Sequence, residues 1–378
     1  MSDNRAVHSA RLERWLGSER VEQLSKNMQG WYGPPIPVLD LPGGVKIHGD
    51  GDFSGPFERG YFCSAFDALE SRIRILKRRF NKMRFNPAEL HAGGFTSISS
   101  ALLAMSQAPN AIYGGININK VGTASGAVGG AVDLWYVGTQ PAAGAAGAVA
   151  PTGTTPTNTS TGAIPFYSGV SPLFTMLTGA DLQSSVATTS LMLYDRLFSV
   201  AATMNSTAAI TVSGTPTRYT GTTAGVMGYC GGNFVFPVCS GTVLPATAHN
   251  WTVCKYTNQA GSSATFPSAT GISACAVNRI DLATGWFMPL ASGDVGMTAL
   301  TQEQSSAAVA SGTVDFVMGH SIGIMSFPIA NFLYPFDFLT NRNLAPRIFD
   351  GACLALMQLP QAASSASTFT GCLYAAQQ

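Results

Sequence analysis

A mainly β protein with an N-terminal helical arm, α+β overall, is the fold class that this 378-residue chain predicts. Three observations carry the prediction. From about residue 95 the chain breaks into short runs rich in Val, Thr and aromatics, separated by Gly, Ser, Pro and Asn, the pattern of antiparallel strands joined by turns. Before that, in FDALESRIRILKRRFNKMRF (66–85), Phe66, Leu69, Ile73, Leu76, Phe80 and Met83 recur at spacings of three and four, the apolar seam of one helix. Charge is also confined: residues 1–91 hold 14 of the 21 Lys and Arg and 11 of the 20 Asp and Glu. The last three quarters of the chain is nearly uncharged.

Residues 1–62 read as an extended arm. A short helix is expected over 10–16, and a second is opened by Ser18 as N-cap, with Glu19 and Glu22 in its first turn and Val21, Leu24 and Met28 on one face. Four prolines between Pro34 and Pro42 then hold the chain extended, because proline fixes φ and lacks a backbone donor. In HGDGDFSGPFE (48–58), Asp50, Asp52 and Ser54 are spaced like calcium ligands. The twelfth position of such a loop would be Tyr61 rather than a bidentate Glu, so the stretch reads as a glycine-rich turn.

Residues 63–92 form the second unit, a basic amphipathic helix. Ser64 followed by Asp67 caps it, and Pro87 closes the region. Arg72, Arg74, Lys77, Arg78, Arg79, Lys82 and Arg84 follow one another with no acid between them, mostly away from the seam. Such a face attracts phosphates without reading sequence. Phe66 and Phe80 lie on the seam, so the charged face lacks the aromatics on which bases stack. A solvated outer side of a packing helix explains the same pattern.

Residues 93–378 form the β-rich body, expected as an antiparallel β-sandwich or jelly roll. Its candidate strands are 111–121, 131–137, 191–200, 233–238, 250–257, 272–280, 285–290, 311–327 and 352–359. Between them GTQPAAGAAGAVAPTGTTPTNTSTGAIP (138–165) carries no charge and almost no large side chain. So long a segment is expected either to be disordered or, the favoured reading, to lie extended on a neighbouring subunit.

Chemistry is sparse. His8, His48, His91, His249 and His320 are scattered without metal-ligand spacing, and no phosphate loop, dinucleotide fingerprint or nucleophile elbow occurs. No enzyme, cofactor or metal is expected. The seven cysteines, without a CxxC pair, read as buried free thiols. Asp195, Arg196, Arg347 and Asp350 stand inside apolar runs and are expected to be structural ion pairs, since a buried charge needs a partner. The apolar stretch 320–339 contains Pro328, Asn331, Pro335 and Asp337, which excludes it as a membrane helix. The charged beginning of the chain has no apolar signal core, which leaves the N-x-S/T sites at Asn158, Asn205 and Asn250 without a glycosylating route.

The blocks LMLYDRLFSV, TPTRYT, NWTVCKYTNQAGSSATFP, WFMPLASGDVGM and APRIFDGACLALMQL resemble virion structural proteins of tailed bacteriophages over roughly residues 130–375. LERWLG and GWYGPPIPV in the arm are similar more weakly. The resemblance implies a non-enzymatic, self-assembling homo-oligomer, with the major capsid (coat) protein as the leading assignment. Its partners would be other copies, other virion proteins and, nonspecifically, packaged DNA; no membrane is implied. It would assemble in the host cytoplasm and reside in the virion. The family's usual shell fold, with a spine helix and an α/β apical domain, is the alternative architecture, and a capsid-decorating or tail-associated β-sandwich is the alternative role. A reading from another class is a host-surface carbohydrate-binding β-protein, for which Trp135, Trp251 and Trp286 would supply the sugar platform.

If the basic helix faces packaged DNA, replacing Arg74, Arg78 and Lys82 together by Gln leaves assembly intact and weakens genome retention more steeply as salt rises. Particle yield and DNA content across a salt series measure both effects; failed assembly would mean the charges are subunit contacts.

Overall fold

The computed structural model describes residues 39–41, 45–47, 116–122, 130–166, 175–338, 346–360 and 366–377. The chain divides into two compact units, residues 1–84 and 85–378. In the first, β1 (Leu39–Leu41) pairs antiparallel with β2 (Val45–Ile47), Leu39 opposite Ile47. A pair of short antiparallel strands therefore stands within the proline-rich stretch expected to be extended. The expected helices at 10–16 and 18–28, the glycine-rich turn at 48–58 and the whole basic helix lie outside the described residues.

The second unit is mainly β. Among its described residues all strand ladders are antiparallel and no α-helix occurs. A central five-stranded sheet runs β4 (Val132–Asp133), β18 (Leu354–Pro360), β7 (Thr189–Thr203), β15 (Thr313–Phe327), β9 (Asn233–Ser240). A six-stranded sheet runs β16 (Tyr334–Asp337), β6 (Thr175–Ser184), β19 (Thr368–Gln377), β3 (Ile116–Val121), β5 (Thr139–Gln140), with β17 (Arg347–Ile348) also on β6. A smaller sheet runs β12 (Ser263–Thr265), β11 (Lys255–Asn258), β14 (Met297–Glu303), β8 (Ile210–Thr211), and β10 (Asn250–Trp251) pairs with β13 (Ala269–Thr270).

The central sheet is apolar on both faces, which is why its strands read as nearly continuous hydrophobic runs. The pleat of β18 divides its side chains between two cores: Ala355, Met357 and Leu359 enter the first, Leu354 and Leu356 the second. The first core joins Phe316 and Val238 to Trp251, Tyr256 and Leu300. The second joins Leu191, Leu193 and Phe327 to Leu177, Leu182, Phe369 and Leu373 of the six-stranded sheet. Consecutive strands alternate between those two sheets, β6 to β7, β15 to β16 and β18 to β19.

The strands expected at 191–200 and 233–238 lie within β7 and β9, those at 311–327 and 352–359 overlap β15 and β18, which begin later at Thr313 and Leu354, and that at 111–121 is described from Ile116 onward as β3. Others are corrected. In 131–137 the strand stops after two residues and becomes a 3₁₀ turn, Leu134–Tyr136, because the Asp133 side chain accepts from the Trp135 amide. The run 250–257 is broken at Val253, whose φ is 52°. No strand forms at 272–280, where Ala274 and Asn278 are left-handed, or at 285–290.

The small-residue segment 138–165 also differs from expectation, since it packs on its own chain. Pairing of β18 with β7 begins at Asp195, leaving the far half of that edge of β7 unpaired. The segment fills it: the Ala150 amide donates to the Ala201 carbonyl (3.0 Å), Ala201 to Ala148 (3.1 Å), and Thr154 and Ser199 exchange bonds of 2.7 and 2.9 Å. Close approach explains the composition. A Cβ on Gly147 would stand 2.3 Å from the Ser199 carbonyl oxygen, and Gly153, at φ 64°, has Phe198 2.2 Å from the same position.

Candidate functional site

β7 carries three consecutive polar side chains, Tyr194, Asp195 and Arg196, in a strand with both faces covered. Arg196 is fully buried. Its Nη1 donates to Asp133 Oδ2 at 2.7 Å and its Nη2 to Asp315 Oδ2 at 2.8 Å. Tyr194 Oη donates to the other Asp133 oxygen at 2.9 Å, Tyr136 Oη donates to Asp315, and Arg196 Nη2 also donates to Tyr136 Oη at 2.8 Å. The guanidinium carbon lies 4.8 Å from the Trp135 ring centre, a cation–π contact. The Gly147 amide, 3.2 Å from both Asp315 oxygens, adds a backbone donor. One guanidinium thus ties β4, the 3₁₀ turn, β7, β15 and the glycine-rich segment.

The electrostatics fit a structural role. Burial pushes the Asp315 carboxyl up against the opposing pull of Arg196, the Tyr136 hydroxyl and the Gly147 amide. Burial also pushes both phenols well above their ordinary range, so they stay neutral donors. Asp133, Tyr194, Arg196 and Asp315 are wholly enclosed, out of reach of a substrate.

The pleat turns Asp195 the other way, where it meets Arg218. Nε and Nη2 of Arg218 each donate to one Asp195 oxygen at 2.8 Å, the bidentate arrangement a planar fork favours. Nη2 also reaches the Pro156 and Arg196 carbonyls at 3.1 Å, and the Cys353 amide donates to Asp195 at 2.9 Å. Asp195 and Arg196 are therefore both ion-paired, each with partners other than its neighbour. Arg347 lies in β17 with its guanidinium carbon 5.1 Å from the Phe349 ring centre. Burial lowers its pKa, and the charge of Asp350 opposes that shift.

Sequence reasoning did not single out Asp133, Asp315, Arg218, Asp281 or Glu303. Arg218 had a signal: it is the one charged residue between Arg196 and Lys255. His249 Nε2 lies 2.8 Å from Asp281 Oδ2, and its Nδ1 lies 3.0 Å from the Thr247 carbonyl. Both ring nitrogens face acceptors. Burial disfavours charge on this ring, but the hydrogen bond and charge of Asp281 outweigh it and raise the pKa. Glu303 is enclosed in β14 with no hydrogen-bond partner for either carboxyl oxygen. Burial and the charge of Asp315 push its pKa well up, so the carboxyl is held neutral.

Trp135 and Trp251 are buried in the first core, and Trp286 packs against it. The first two are unavailable to a sugar face, which removes the platform proposed for a carbohydrate binder. Among the described residues no group of three or more His, Cys, Asp and Glu could hold a metal ion. The seven basic residues from Arg72 to Arg84 and the seam from Phe66 to Met83 lie outside the described residues.

Replacing Arg196 by Met leaves two buried carboxylates without their cation and lowers stability by about 3–5 kcal/mol. Arg196→Lys recovers only part of this, because one ammonium cannot reproduce a fork held between two acids; urea unfolding of the three proteins gives the ranking. Glu303 has the opposite logic. A carboxyl kept neutral in the fold but ionised in the unfolded chain lowers stability as pH rises above about 4.3, by up to about 1.4 kcal/mol per pH unit until its folded pKa is passed. Glu303→Gln should remove that slope, so its melting temperature exceeds wild type at pH 8 and converges with it near pH 4.

Comparison with protein-family models and with curated proteins gives no match. One solved structure, "Structure of infectious bursal disease virus Gt strain", aligns at 12% identity over 56% of this chain and 47% of that chain, with a TM-score of 0.10. The chain thus spans less than half of that structure's length, and so low a score carries no argument.

Proposed function

We propose that this chain is a non-enzymatic structural protein of a bacteriophage particle, in the first place its self-assembling coat protein. The observation that carries the reading is where the charge goes. Beyond residue 91 the sequence has 7 basic and 9 acidic residues. Lys120, Asp133, Asp195, Arg196, Arg218, Asp281, Glu303, Asp315 and Arg347 are buried. Of the charged residues described in the body, only Asp337 and Asp350 are exposed. Soluble domains carry charge on about a quarter of their residues, chiefly outside; a surface of Gly, Ala, Ser and Thr with so little charge suits one covered by other subunits. Exposed Ile324, Ile329, Phe332 and Leu333 on and after β15 add apolar area of the kind interfaces bury.

The finer architecture under this reading is an antiparallel β-sandwich, supported by the connections that pass from the central to the six-stranded sheet. A capsid-decorating or tail-associated role is the second reading. The observation favouring it is that the described body has strands and no α-helix, whereas the family's usual shell fold has a spine helix and an α/β apical domain. Residues 138–165, bonded to their own β7, no longer support an exchanged arm; residues 1–62 keep that role in the proposal.

Negative-stain microscopy and sedimentation of the full chain expressed alone separate the readings. Closed shells are expected for a coat protein. Rings or free trimers would move the assignment to decoration or tail, and a monomer at all accessible concentrations would overturn self-assembly altogether.

A further inference from the structure

Cys239 and Cys275 stand apart from the other thiols. Cys239 is the penultimate residue of β9, the outer strand of the central sheet, and Cys275 lies in the irregular segment that covers that strand's open edge. The backbone holds the two together. The Cys239 amide donates to the Arg279 carbonyl at 3.0 Å, the Asn278 amide to the Cys239 carbonyl at 2.8 Å, and the Leu244 amide to the Cys275 carbonyl at 3.0 Å. The Cys275 thiol donates to the Arg279 carbonyl at 3.7 Å, the same oxygen that accepts from the Cys239 amide, and the Cys239 thiol donates to the Thr242 carbonyl at 2.9 Å. Both residues are buried and free, yet two positions beyond Cys239 the loop Gly241–Val243 is exposed, so a small local opening reaches the pair.

We propose that Cys239 and Cys275 form a peroxide-responsive dithiol pair whose oxidation to a disulfide clamps the covering segment onto the edge of β9. Cys239 is the attacking sulfur. Its thiol bonds the carbonyl of Thr242 in the exposed loop and the neighbouring Cys275 thiol draws its pKa down, against burial, while burial pushes Cys254 and Cys353 up to about 12 and leaves them inert. The Cys239 thiolate displaces hydroxide from hydrogen peroxide, forming a sulfenic acid. The Cys275 sulfur then attacks the Cys239 sulfur: the S–S bond forms, the S–O bond breaks, and the hydroxyl leaves with the Cys275 proton as water. Two thiols lose two electrons, and one peroxide becomes two waters. The cross-link joins residues far apart in the chain, which constrains the unfolded state and stabilises the fold.

The test is to treat the native full-length chain with hydrogen peroxide, then denature it in N-ethylmaleimide and map its peptides. The expected result is a mass loss of about 2 Da before labelling, a linked Cys239–Cys275 peptide, labelling of the remaining cysteines, and a higher melting temperature that dithiothreitol reverses. With Cys275→Ser, Cys239 should stop at a dimedone-reactive sulfenic acid. Recovery of both residues labelled, oxidised separately to sulfinic acid, or linked to other cysteines would overturn the proposal. The wild-type peptide map decides this even if the variant does not fold.

Discussion

The structure depends on Arg196 keeping its charge in the middle of a fifteen-residue strand covered on both faces. A guanidinium there is tolerable only if acceptors face it, and they come from four residues, Asp133, Tyr136, Tyr194 and Asp315. Asp133 is fixed because its carboxylate also turns the chain into the 3₁₀ segment; Asp315 is fixed because β15 lies in register beside β7. The geometry of the strand contributes as well. The register shifts between Met318 and Gly319, next to the Gly319 and Arg196 pair, as at a β-bulge, which re-aims side chains locally. Gly319 leaves room for the Phe234 and Tyr194 rings, whose atoms stand 2.8 Å from where its Cβ would be. Buried ion pairs contribute little net stability against an apolar alternative, but they penalise every mispairing that leaves one charge alone. For long antiparallel strands, whose main hazard is slipping in register, that penalty selects one alignment.

The same economy explains the surface. A body that spends most of its charged side chains inside keeps few for solvation outside, which is costly for a monomer and useful for a subunit whose surface is to be covered. Asp195 with Arg218 and Arg196 with its two acids join a loop and an edge strand to the central sheet, and His249 with Asp281 joins two irregular segments to each other. Each pins a segment that hydrophobic burial alone would hold loosely, because those segments are rich in Gly, Ala, Ser and Thr.

Legibility in the sequence followed burial. Strands inside the central sheet were readable because apolar contact on both faces leaves a continuous run, as in LMLYDRLFSV and ACLALMQL. β6, β14 and β19 were missed: TMLTGADLQS, MTALTQE and TFTGCLYAAQ carry Thr, Ala and Gly where the pattern needs Val or Ile. The run 272–280 misled in the other direction, since its apolar residues serve the first core while left-handed Ala274 and Asn278 prevent a strand. Asp195 and Arg196 stood out as buried charges, but their adjacency hid the fact that a pleated strand sends them to opposite faces. Nor could composition alone show that the uncharged segment 138–165 belongs to β7; its glycines make sense only beside the Ser199 backbone and the Phe198 ring.

How the sheets end bears on how copies could meet. β9 has Pro237 within it and is covered along its open side by residues 278–281, with Asp281 donating to Pro237 and Cys239 to Arg279. The far half of β7 is covered by residues 148–154. β16, at one edge of the six-stranded sheet, contains Pro335, which cannot donate to a new strand. β5, at the other edge, has two residues, too few to template a partner. Edges closed or blunted in these ways resist indiscriminate strand addition. Under the proposed coat role, copies of this body would meet through side-chain surfaces and loops more than through extension of these sheets, and the exposed Ile329, Phe332 and Leu333 beyond β15 offer contact area without an open ladder.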